Sequence, residues 1–223
     1  NYMPENCISR RENEDITRPF SHLEVANCIA SLHDSAPGED GVSYSHLKKF
    51  DPSALIFTHL FNVCLAARRV PLKWKSAVVT LLHKKGDHNE LDNWRPISLS
   101  STMYKVYTRL LSNRLSNVLP LLLSPEQKGF TKNEGCTEHT FLIDTAIHSA
   151  RQDRRSLAMA FLDLSNAFGS VPHTLILQNL RRAGLSDQFV QLVEDLYSDT
   201  TCKVRTENGC TGDISIGKGV KQG

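Results

Sequence analysis

The hydrophobic pattern of this chain changes period along its length, and that change restricts the fold more than any other feature of the sequence. Between residues 103 and 118 apolar side chains recur every three or four positions, which predicts a long amphipathic helix. From Leu157 to Leu164 the apolar residues are nearly continuous, which is typical of a buried strand. A chain that uses both periods combines helices with a sheet, so we expect an α+β fold.

Helix caps and turn-forming residues indicate where further elements begin. Ser21 and Glu24 have the spacing of a capping box and predict a helix over about residues 22–34. Asp51-Pro52 predicts the start of another helix, which the apolar period extends towards Pro71. Three more helices are predicted at about residues 137–150, 172–183 and 187–198.

Two hairpins are predicted from the strand and turn signals. The apolar run from Ala77 to Leu82 predicts a strand, and the stretch from Asn93 to Leu99 predicts its returning partner. Pro96 cannot donate a backbone hydrogen bond, so we expect that partner at an edge or in irregular form. Asn208-Gly209 is the strongest turn signal in the chain and predicts a hairpin over residues 202–216.

Composition makes several classes of protein poor candidates. No apolar run approaches the ~20 residues of a bilayer span, and the polar first six residues do not resemble a signal peptide. The six cysteines lack CxxC spacing, and the histidines are too scattered for a zinc site. We therefore expect a soluble, intracellular protein with reduced thiols and no membrane partner. The histidines that are too scattered for a zinc site are His83, His88, His139 and His173.

The charge of the chain is unevenly distributed, although its net value is only +2. Residues 68–133 hold 12 Lys and Arg against 4 Asp and Glu, an excess of eight positive charges. Such an excess suits a surface that faces phosphates, but solvated basic helix faces are also common. Charge alone therefore favours a nucleic-acid partner only weakly.

Asp163 is the most informative candidate for chemistry, because it lies near the end of the apolar run that begins at Leu157. A carboxylate in that position needs hydrogen-bond partners or a cation, which makes it a candidate metal ligand. The alternative is a carboxylate that caps the next turn through Asn166 or the following amides. Residues 164–169 add small side chains, an aromatic residue and a glycine, whose backbone can lie against a substrate.

Lys84 and Arg95 flank the turn of the first predicted hairpin. Two cations in that arrangement can converge on a polyanion, one as a point charge and the other as a planar fork. A triphosphate would use both. The alternative is an ordinary solvated loop, because charged loops are common on protein surfaces.

Seven short motifs, in order along the chain, carry a resemblance to a known family. Together they resemble the reverse transcriptase domain of non-LTR (LINE-type) retrotransposons over roughly residues 20–223, and an ordered series is far more specific than any one motif. Residues 135–139 and 166–169 lean towards the R2-like, site-specific branches. The motifs are residues 36–41 (APGEDG), 74–75 (WK), 84–87 (KKGD), 93–99 (NWRPISL), 127–130 (QKGF), 161–168 (FLDLSNAF) and 219–223 (GVKQG).

The resemblance implies an incomplete right-hand polymerase. Residues 1–35 would form a leader and first helix, residues 36–155 the fingers, and residues 156–223 part of a palm with a ferredoxin-like (RRM-like) core. The family's paired aspartates, in a [Phe/Tyr]-x-Asp-Asp motif, and its thumb would lie beyond Gly223. We therefore expect a fragment of a longer protein that does not polymerise by itself.

The resemblance also assigns roles to individual residues. Asp163 matches the first catalytic aspartate, which with Leu164 would bind Mg²⁺ (or Mn²⁺) in a two-metal transfer of a nucleotide. Phe168 matches the aromatic residue that excludes a ribonucleotide 2′-hydroxyl. Contacts to the incoming dNTP are assigned to Lys84, Arg95, Asn166, Ala167, Phe168, Gln222 and Gly223. Contacts to the template are assigned to Lys105, Arg109, Gln127, Lys128, Gly129 and Phe130.

The expected partners are an RNA template, a DNA primer and a dNTP, and the expected location is the nucleus when the protein acts on target DNA. One alternative is a catalytically inactive nucleic-acid-binding relic or repurposed module. A phosphatase that uses Asp163 as nucleophile ranks last, because Ser165 stands where a second aspartate is needed. Gly169 replaces an aspartate that many family members have, but that aspartate is not a metal ligand.

Overall fold

The computed structural model describes residues 8–124, 126–131 and 135–221. Within these residues the chain forms helices around a mixed five-stranded sheet, which confirms the α+β class. The helices are α1 (Arg10–Thr17), α2 (His22–Ser31), α3 (Tyr44–Phe50), α4 (Leu55–Ala67), α5 (Leu72–Lys75), α6 (Thr102–Leu115), α7 (Leu119–Leu122), α8 (Gly135–Gln152), α9 (Ala167–Ser170), α10 (His173–Arg182) and α11 (Asp187–Tyr197). The strands are β1 (Ser76–His83), β2 (Trp94–Ser100), β3 (Thr201–Thr206), β4 (Gly209–Cys210) and β5 (Ile214–Ser215).

The sheet joins the two predicted hairpins. Its strand order is β2-β1-β3-β4, and β5 also pairs with β3. β1 is antiparallel to β2, with Val78 opposite Leu99, and parallel to β3, with Ser76 opposite Thr201. Among the described residues β2 is an edge strand, as Pro96 predicts. The parallel pair connects parts of the chain on either side of residue 155, the predicted subdomain boundary.

Aromatic side chains form the centre of the core. Tyr107 in α6 is fully buried, and its ring centroid lies 5.6 Å from that of Phe61, 6.0 Å from that of Trp74 and 6.1 Å from that of Phe20. These residues come from α4, α5, α6 and the segment before α2. Because the apolar stripe of α6 faces this cluster, α6 packs against α1, α2 and α5 and anchors the helical layer.

Arg114 carries a buried charge at the end of α6. Its guanidinium forms two hydrogen bonds with the carboxylate of Glu24, at 2.7 and 2.9 Å, and also donates to the carbonyls of Ile16, Arg18 and Pro19. Burial would raise the pKa of Glu24, but the hydrogen bonds and charge of Arg114 outweigh it and hold that pKa below 4.5. This pair ties α6 to α2 and to the chain between α1 and α2.

Ser21 caps α2 as predicted, but the capping box is only half formed. The Ser21 hydroxyl accepts a hydrogen bond from the Glu24 amide, whereas the Glu24 side chain is taken by Arg114. Asp51 also caps a helix, by a route that differs from the prediction. Its carboxylate accepts from the first amides of α4 while Pro52 lies in the preceding turn, so α4 begins at Leu55.

The prediction of a buried strand from Leu157 to Leu164 is wrong. This stretch has no regular secondary structure, and the side chains of Phe161 and Leu162 are 79% and 96% exposed. A strand buried on both faces needs paired strands at its edges and a packed layer on each face. Among the described residues β1 and β3 pair with each other and with other strands, and none of these strands pairs with residues 157–164. This segment therefore has neither a paired strand beside it nor a packed layer over its faces.

Helices α1 and α3 were not anticipated by the sequence pattern. Each is short and begins at a serine whose hydroxyl accepts a backbone amide, Ser9 for α1 and Ser43 for α3. In the described residues no single helix is long and apolar enough to cross a bilayer. The pair α3 and α4 passes that test jointly, with a bend of 111° between them.

Candidate functional site

Asp163 lies in the irregular segment that replaces the predicted strand. Its carboxylate is exposed, and one oxygen accepts a hydrogen bond from the backbone amide of Leu164 at 2.9 Å. Asn166, three residues later, has a φ of +48° and is the N-cap residue that precedes α9, which has no side-chain cap hydrogen bond. The carboxylate therefore contacts the amide directly after it, and it does not cap α9.

The turn after Asp163 brings two predicted motifs together. Phe168 in α9 packs edge-on against Phe130, with ring centroids 5.9 Å apart. Phe168 is a predicted nucleotide contact and Phe130 is a predicted template contact. Gly169 is tightly packed, because a Cβ there would lie 2.5 Å from the side-chain oxygen of Asn166. A larger residue at 169 therefore requires a different position of Asn166.

Residues 218–221 pack against the same turn. The amide of Gly219 donates to the carbonyl of Val171 at 2.7 Å, and the amide of Val220 donates to that of Phe168 at 2.8 Å. Nε2 of His173 lies 2.8 Å from the carbonyl oxygen of Gly219. Gly219 has a φ of +86°, and a Cβ there would lie 2.9 Å from the Gly169 oxygen, so the close approach requires glycine. The structure thus joins the motif at 219 to the motif that contains Asp163.

Lys221, in the same segment, is half-buried. Its ammonium donates to the backbone carbonyl of Lys75 at 2.9 Å and lies 4.7 Å from the centre of the Tyr104 ring. Burial lowers the pKa of Lys221 to about 8, an effect that the nearby Cys202 thiol partly offsets. This lysine is not one of the predicted site residues. Its position next to Gln222, within a motif, was the available signal.

The lowered pKa of Lys221 predicts that stability rises with pH above about 8. The ordinary lysine value is 10.5, so between these two values the unfolded chain binds more protons than the folded chain, and the free energy of unfolding increases with pH. We expect Lys221→Met to remove this increase. Urea unfolding of both proteins at about pH 7 and about pH 9.5 measures it. Lys218→Met, which replaces an exposed lysine of the same segment, is the control. If the free energy of unfolding had the same pH dependence in wild type and in Lys221→Met, the prediction would be contradicted.

Lys84 and Arg95 lie at the same end of the β1–β2 hairpin. Arg95 pairs with Leu82, and the amide of Lys84 donates to the Asn93 carbonyl at 2.7 Å, so the ladder continues to both cations. The ammonium of Lys84 donates to the Asp92 carbonyl at 3.2 Å. This arrangement confirms the predicted hairpin. Among the described residues, the structure records no contact between the Asp163 carboxylate and either Lys84 or Arg95.

Three aromatic rings support the tip of this hairpin. The imidazole rings of His83 and His88 stack with centroids 3.8 Å apart, and both meet the Trp94 ring edge-on. The Trp94 indole donates to the carbonyl of His88 at 3.0 Å. The rings therefore fix the loop between the strands, next to Lys84 and Arg95.

The predicted template residues fall into two groups. In α6, Arg109 is exposed, whereas the ammonium of Lys105 donates to the Ala36 carbonyl at 2.8 Å, and burial lowers the pKa of Lys105. In residues 127–130, Lys128 pairs with Glu138 at 2.5 Å, and the Gln127 amide donates to the Gly129 carbonyl at 3.1 Å. Phe130 is largely exposed apart from its contact with Phe168. The structure thus holds Lys105 and Lys128 in contacts within the chain.

A magnesium site is not complete in the part of the chain that the structure describes. Outside residues 1–7, 125, 132–134 and 222–223, no three His, Cys, Asp or Glu side chains are grouped so that they could hold a metal ion. Mg²⁺ prefers about six oxygen ligands in octahedral geometry. Asp163 supplies one carboxylate, so these residues alone do not fit the ion. The predicted nucleotide contacts at Gln222 and Gly223 lie outside the described residues.

Comparison with known proteins identifies the family. The family described as reverse transcriptase (RNA-dependent DNA polymerase) matches residues 82–223, which is more than half of the chain. The chain belongs to the reverse transcriptase family. The match begins within β1 and includes the β1–β2 turn, the segment around Asp163 and the segment around Lys221, so the two regions that the fold brings together both lie in this reverse transcriptase domain.

The relatives of this reverse transcriptase domain come from non-LTR retrotransposons. An uncharacterized 149 kDa protein of transposon TX1 from Xenopus laevis is 31% identical over 97% of this chain. A Pol polyprotein from the type-1 element R2 of Popillia japonica is 32% identical over 92% of it. An RNA-directed DNA polymerase from the mobile element jockey of Drosophila melanogaster is 30% identical over all of it. These identities are nearly equal and do not favour the R2-like branch.

The chain spans only part of the length of these relatives. It covers 17% of the TX1 protein, 28% of the R2 polyprotein and 26% of the jockey polymerase. The reverse transcriptase family as a whole consists of RNA-directed DNA polymerases that bind template and primer and generally use Mg²⁺.

Proposed function

We propose that this chain forms the fingers and the first part of the palm of a retrotransposon polymerase that copies RNA into DNA. The observation that carries this proposal is the packing of residues 218–221 on the turn that follows Asp163, because it unites two motifs 50 or more residues apart. In this proposal residues 36–155 are the fingers and residues 156–223 the beginning of a ferredoxin-like palm. The protein acts in the nucleus, where its DNA target lies.

Asp163 is the proposed catalytic carboxylate. Its exposure leaves one oxygen free of the contact with Leu164 and accessible to solvent, as a ligand for a cation requires. Divalent ions supply Lewis acidity to the reacting phosphate when they are bound, and Asp163 with Leu164 would hold them only together with carboxylates outside the described residues. The described residues contribute one carboxylate, that of Asp163, which lies just before the helical turn α9.

The dNTP is proposed to lie between the hairpin tip and this turn. Lys84 and Arg95 provide positive charge for the triphosphate at one end of the hairpin, where Arg95 is exposed. The backbone of Asn166 and Ala167 and the ring of Phe168 lie in the turn. Gln222 and Gly223 follow the segment packed against it. We propose that Phe168, rather than any charged group, distinguishes deoxyribose from ribose by its bulk.

The template is proposed to contact Arg109 and residues 127–130. Arg109 is exposed on α6, and Phe130 reaches the proposed nucleotide position through its contact with Phe168. Phosphate contacts of this kind set affinity without choosing sequence. The ammonium groups of Lys105 and Lys128 have partners within the chain, so a template contact from either requires that it leave the Ala36 carbonyl or Glu138.

A catalytically inactive nucleic-acid-binding module is the second candidate function. One observation favours it, namely the excess of eight positive charges in residues 68–133. This alternative predicts RNA binding that weakens with salt and does not depend on Mg²⁺ or Asp163.

Primer extension by the full-length protein tests the polymerase proposal. We expect extension of a DNA primer on an RNA template with Mg²⁺ and dNTPs. Phe168→Ala should raise the ratio of ribonucleotide to deoxyribonucleotide incorporation about tenfold or more, because discrimination by bulk is worth about 1–3 kcal/mol. Incorporation of each nucleotide type is measured on denaturing gels. Phe141→Ala, at an exposed phenylalanine of α8, is the matched control.

Two results would contradict the proposal. Salt-sensitive RNA binding without any primer extension would favour the binding module. Unchanged nucleotide discrimination in Phe168→Ala, with extension intact, would show that Phe168 does not contact the sugar of the incoming nucleotide.

A further inference from the structure

The end of the β1–β2 hairpin presents different side chains on its two faces. In the register of the two strands His83 lies opposite Trp94. The amide of Lys84 donates to the Asn93 carbonyl at 2.7 Å, so the pairing continues one position beyond β1. Because successive side chains of a strand point to opposite faces, Lys84 and Arg95, which follow the two ring-bearing residues, share the other face. One face of the hairpin end therefore carries two cations, and the other carries rings.

His88 belongs to the ring-bearing face, although it lies outside both strands. Its imidazole stacks on that of His83, with the centroids 3.8 Å apart and the ring planes within 14° of parallel. The Trp94 indole meets both rings edge-on and donates to the His88 carbonyl at 3.0 Å. Nε2 of His83 is buried and has no hydrogen-bond partner among the described residues, so ring packing holds this imidazole. We call His83, His88 and Trp94 the ring cluster.

The loop that carries His88 has a defined fold of its own. The Asn89 amide donates to the Asp87 carboxylate at 2.9 Å, and the Glu90 amide donates to the Asp87 carbonyl at 3.3 Å. The Asn93 side chain also donates to the Asp87 carbonyl at 2.9 Å. The loop is therefore attached to the strands at Asn93 and at the ring cluster, and the His88 ring is the part of this attachment that a side-chain substitution removes.

The two cations do not favour this arrangement by themselves. Lys84 and Arg95 are diagonal neighbours across the hairpin, at a separation within reach of long side chains. Like charges at such positions repel each other when no anion lies between them, and the repulsion favours a slipped or open hairpin end. A slip of one strand by one residue would also separate the two cations onto opposite faces. Packing of the ring cluster opposes both changes, because it requires His83 opposite Trp94.

We propose that His88 is a positioning residue for the triphosphate of the incoming dNTP. This inference rests on the proposed function, since it concerns the cations of that same site. By stacking on His83, the His88 ring keeps Lys84 and Arg95 on one face of the hairpin end before the nucleotide arrives. A preformed pair of cations binds an anion more tightly than a pair that binding itself must order. His88 lies on the face away from the nucleotide, and binding of the template does not depend on it.

Hydrogen exchange of the full-length protein tests the ring cluster independently of activity. We expect His88→Ala to increase exchange about fivefold at the amides of Lys84 and Glu90, whose acceptors lie in the hairpin end and its loop. His88→Phe keeps a ring on His83 and should restore the wild-type rate. Peptides from α4 and α6 should not change in either variant. His148→Ala, at an exposed histidine of α8, is the matched control.

Single-turnover primer extension at a series of dNTP concentrations tests the consequence for nucleotide binding. It gives the Kd of the dNTP and the maximal rate separately. We expect His88→Ala to raise that Kd about fivefold, because loss of one aromatic pair lowers the fraction of protein in which both cations are in place. The maximal rate should change by less than about twofold, since a bound triphosphate orders the cations again. His88→Phe and His148→Ala should bind the dNTP as wild type does.

The outcomes separate the inference from the proposed function. Primer extension by wild type with an unchanged dNTP Kd in His88→Ala would overturn the inference and leave the polymerase intact. A smaller extended fraction of primer at an unchanged Kd would do the same, since it would show only a structural role for His88. Weaker binding of the primer–template hybrid by His88→Ala, measured by fluorescence anisotropy without dNTP, would also count against the inference. Absence of extension by wild type would contradict the proposed function, and with it any role of His88 at a triphosphate site.

Discussion

Asp163→Asn is expected to reduce primer extension by the full-length protein by about 10³-fold or more. Asparagine keeps the size of the side chain and its contact with the Leu164 amide but removes the negative charge. Metal-assisted stabilisation of a transition state is worth several kcal/mol, and each 1.4 kcal/mol corresponds to a factor of ten in rate. Single-turnover extension at saturating dNTP and Mg²⁺ measures the loss.

Asp144→Asn is the matched control for this variant. Asp144 is exposed in α8, away from the proposed site. Asp144→Asn removes the same charge as Asp163→Asn, so its rate of primer extension should equal that of wild type. Binding of the primer–template hybrid should survive in both variants, because phosphate contacts supply the affinity. Full activity in Asp163→Asn would show that the metal site lies elsewhere, and the assignment of residues 166–168 to the nucleotide would then lose its basis.

Arg114→Met is expected to destabilise the chain by about 3–5 kcal/mol. Methionine fills much of the same volume, but it leaves the Glu24 carboxylate and the carbonyls of Ile16, Arg18 and Pro19 without their donor. Removing one partner of a buried ion pair lowers the free energy of unfolding by more than the intact pair contributes to it, because the remaining charge is left buried without a counter-charge. Chemical unfolding should show the loss, and the melting temperature should fall by about 10 °C.

The ion pair between Arg10 and Glu14 provides the control for this prediction. Its Arg side chain is 93% exposed and four residues from its partner, so Arg10→Met should cost less than about 0.5 kcal/mol. Acid should also affect the two variants differently. The pKa of Glu24 is lowered in wild type, so the pair stabilises the chain above pH 4.5 and less as pH falls through the folded value. A loss below 1 kcal/mol in Arg114→Met would contradict a buried role.

Local sequence signals were sufficient for most of the fold. The stripe between Met103 and Val118 corresponds to α6, and the strand run from Ala77 corresponds to β1. Both α6 and β1 form where residues close in the sequence contact one another and where apolar side chains recur with a regular period. The order of residues alone determines that period. Pro96 correctly predicted an edge strand for the same reason, since a missing amide hydrogen is a property of the residue itself.

The segment from Leu157 to Leu164 shows where that reasoning stops. Its composition is typical of a strand, yet a strand exists only through hydrogen bonds to a neighbour, and no described residue provides one. Glu24 illustrates the same dependence on a smaller scale. The capping box predicts a local partner for its carboxylate, whereas Arg114, 90 residues away, takes it because a buried guanidinium needs a charge.

The sequence by itself determined the family, both hairpins, the types of residue that carry chemistry and the six helices α2, α4, α6, α8, α10 and α11. These features depend on residue identity and on spacing along the chain. Tertiary structure alone decided that residues 218–221 lie against the turn after Asp163, that the Lys105 ammonium donates to the Ala36 carbonyl and that the Lys221 ammonium lies beside the Tyr104 ring. The physical reason is that a buried donor takes whichever acceptor the packed chain brings within about 3 Å, and sequence separation places no limit on that choice.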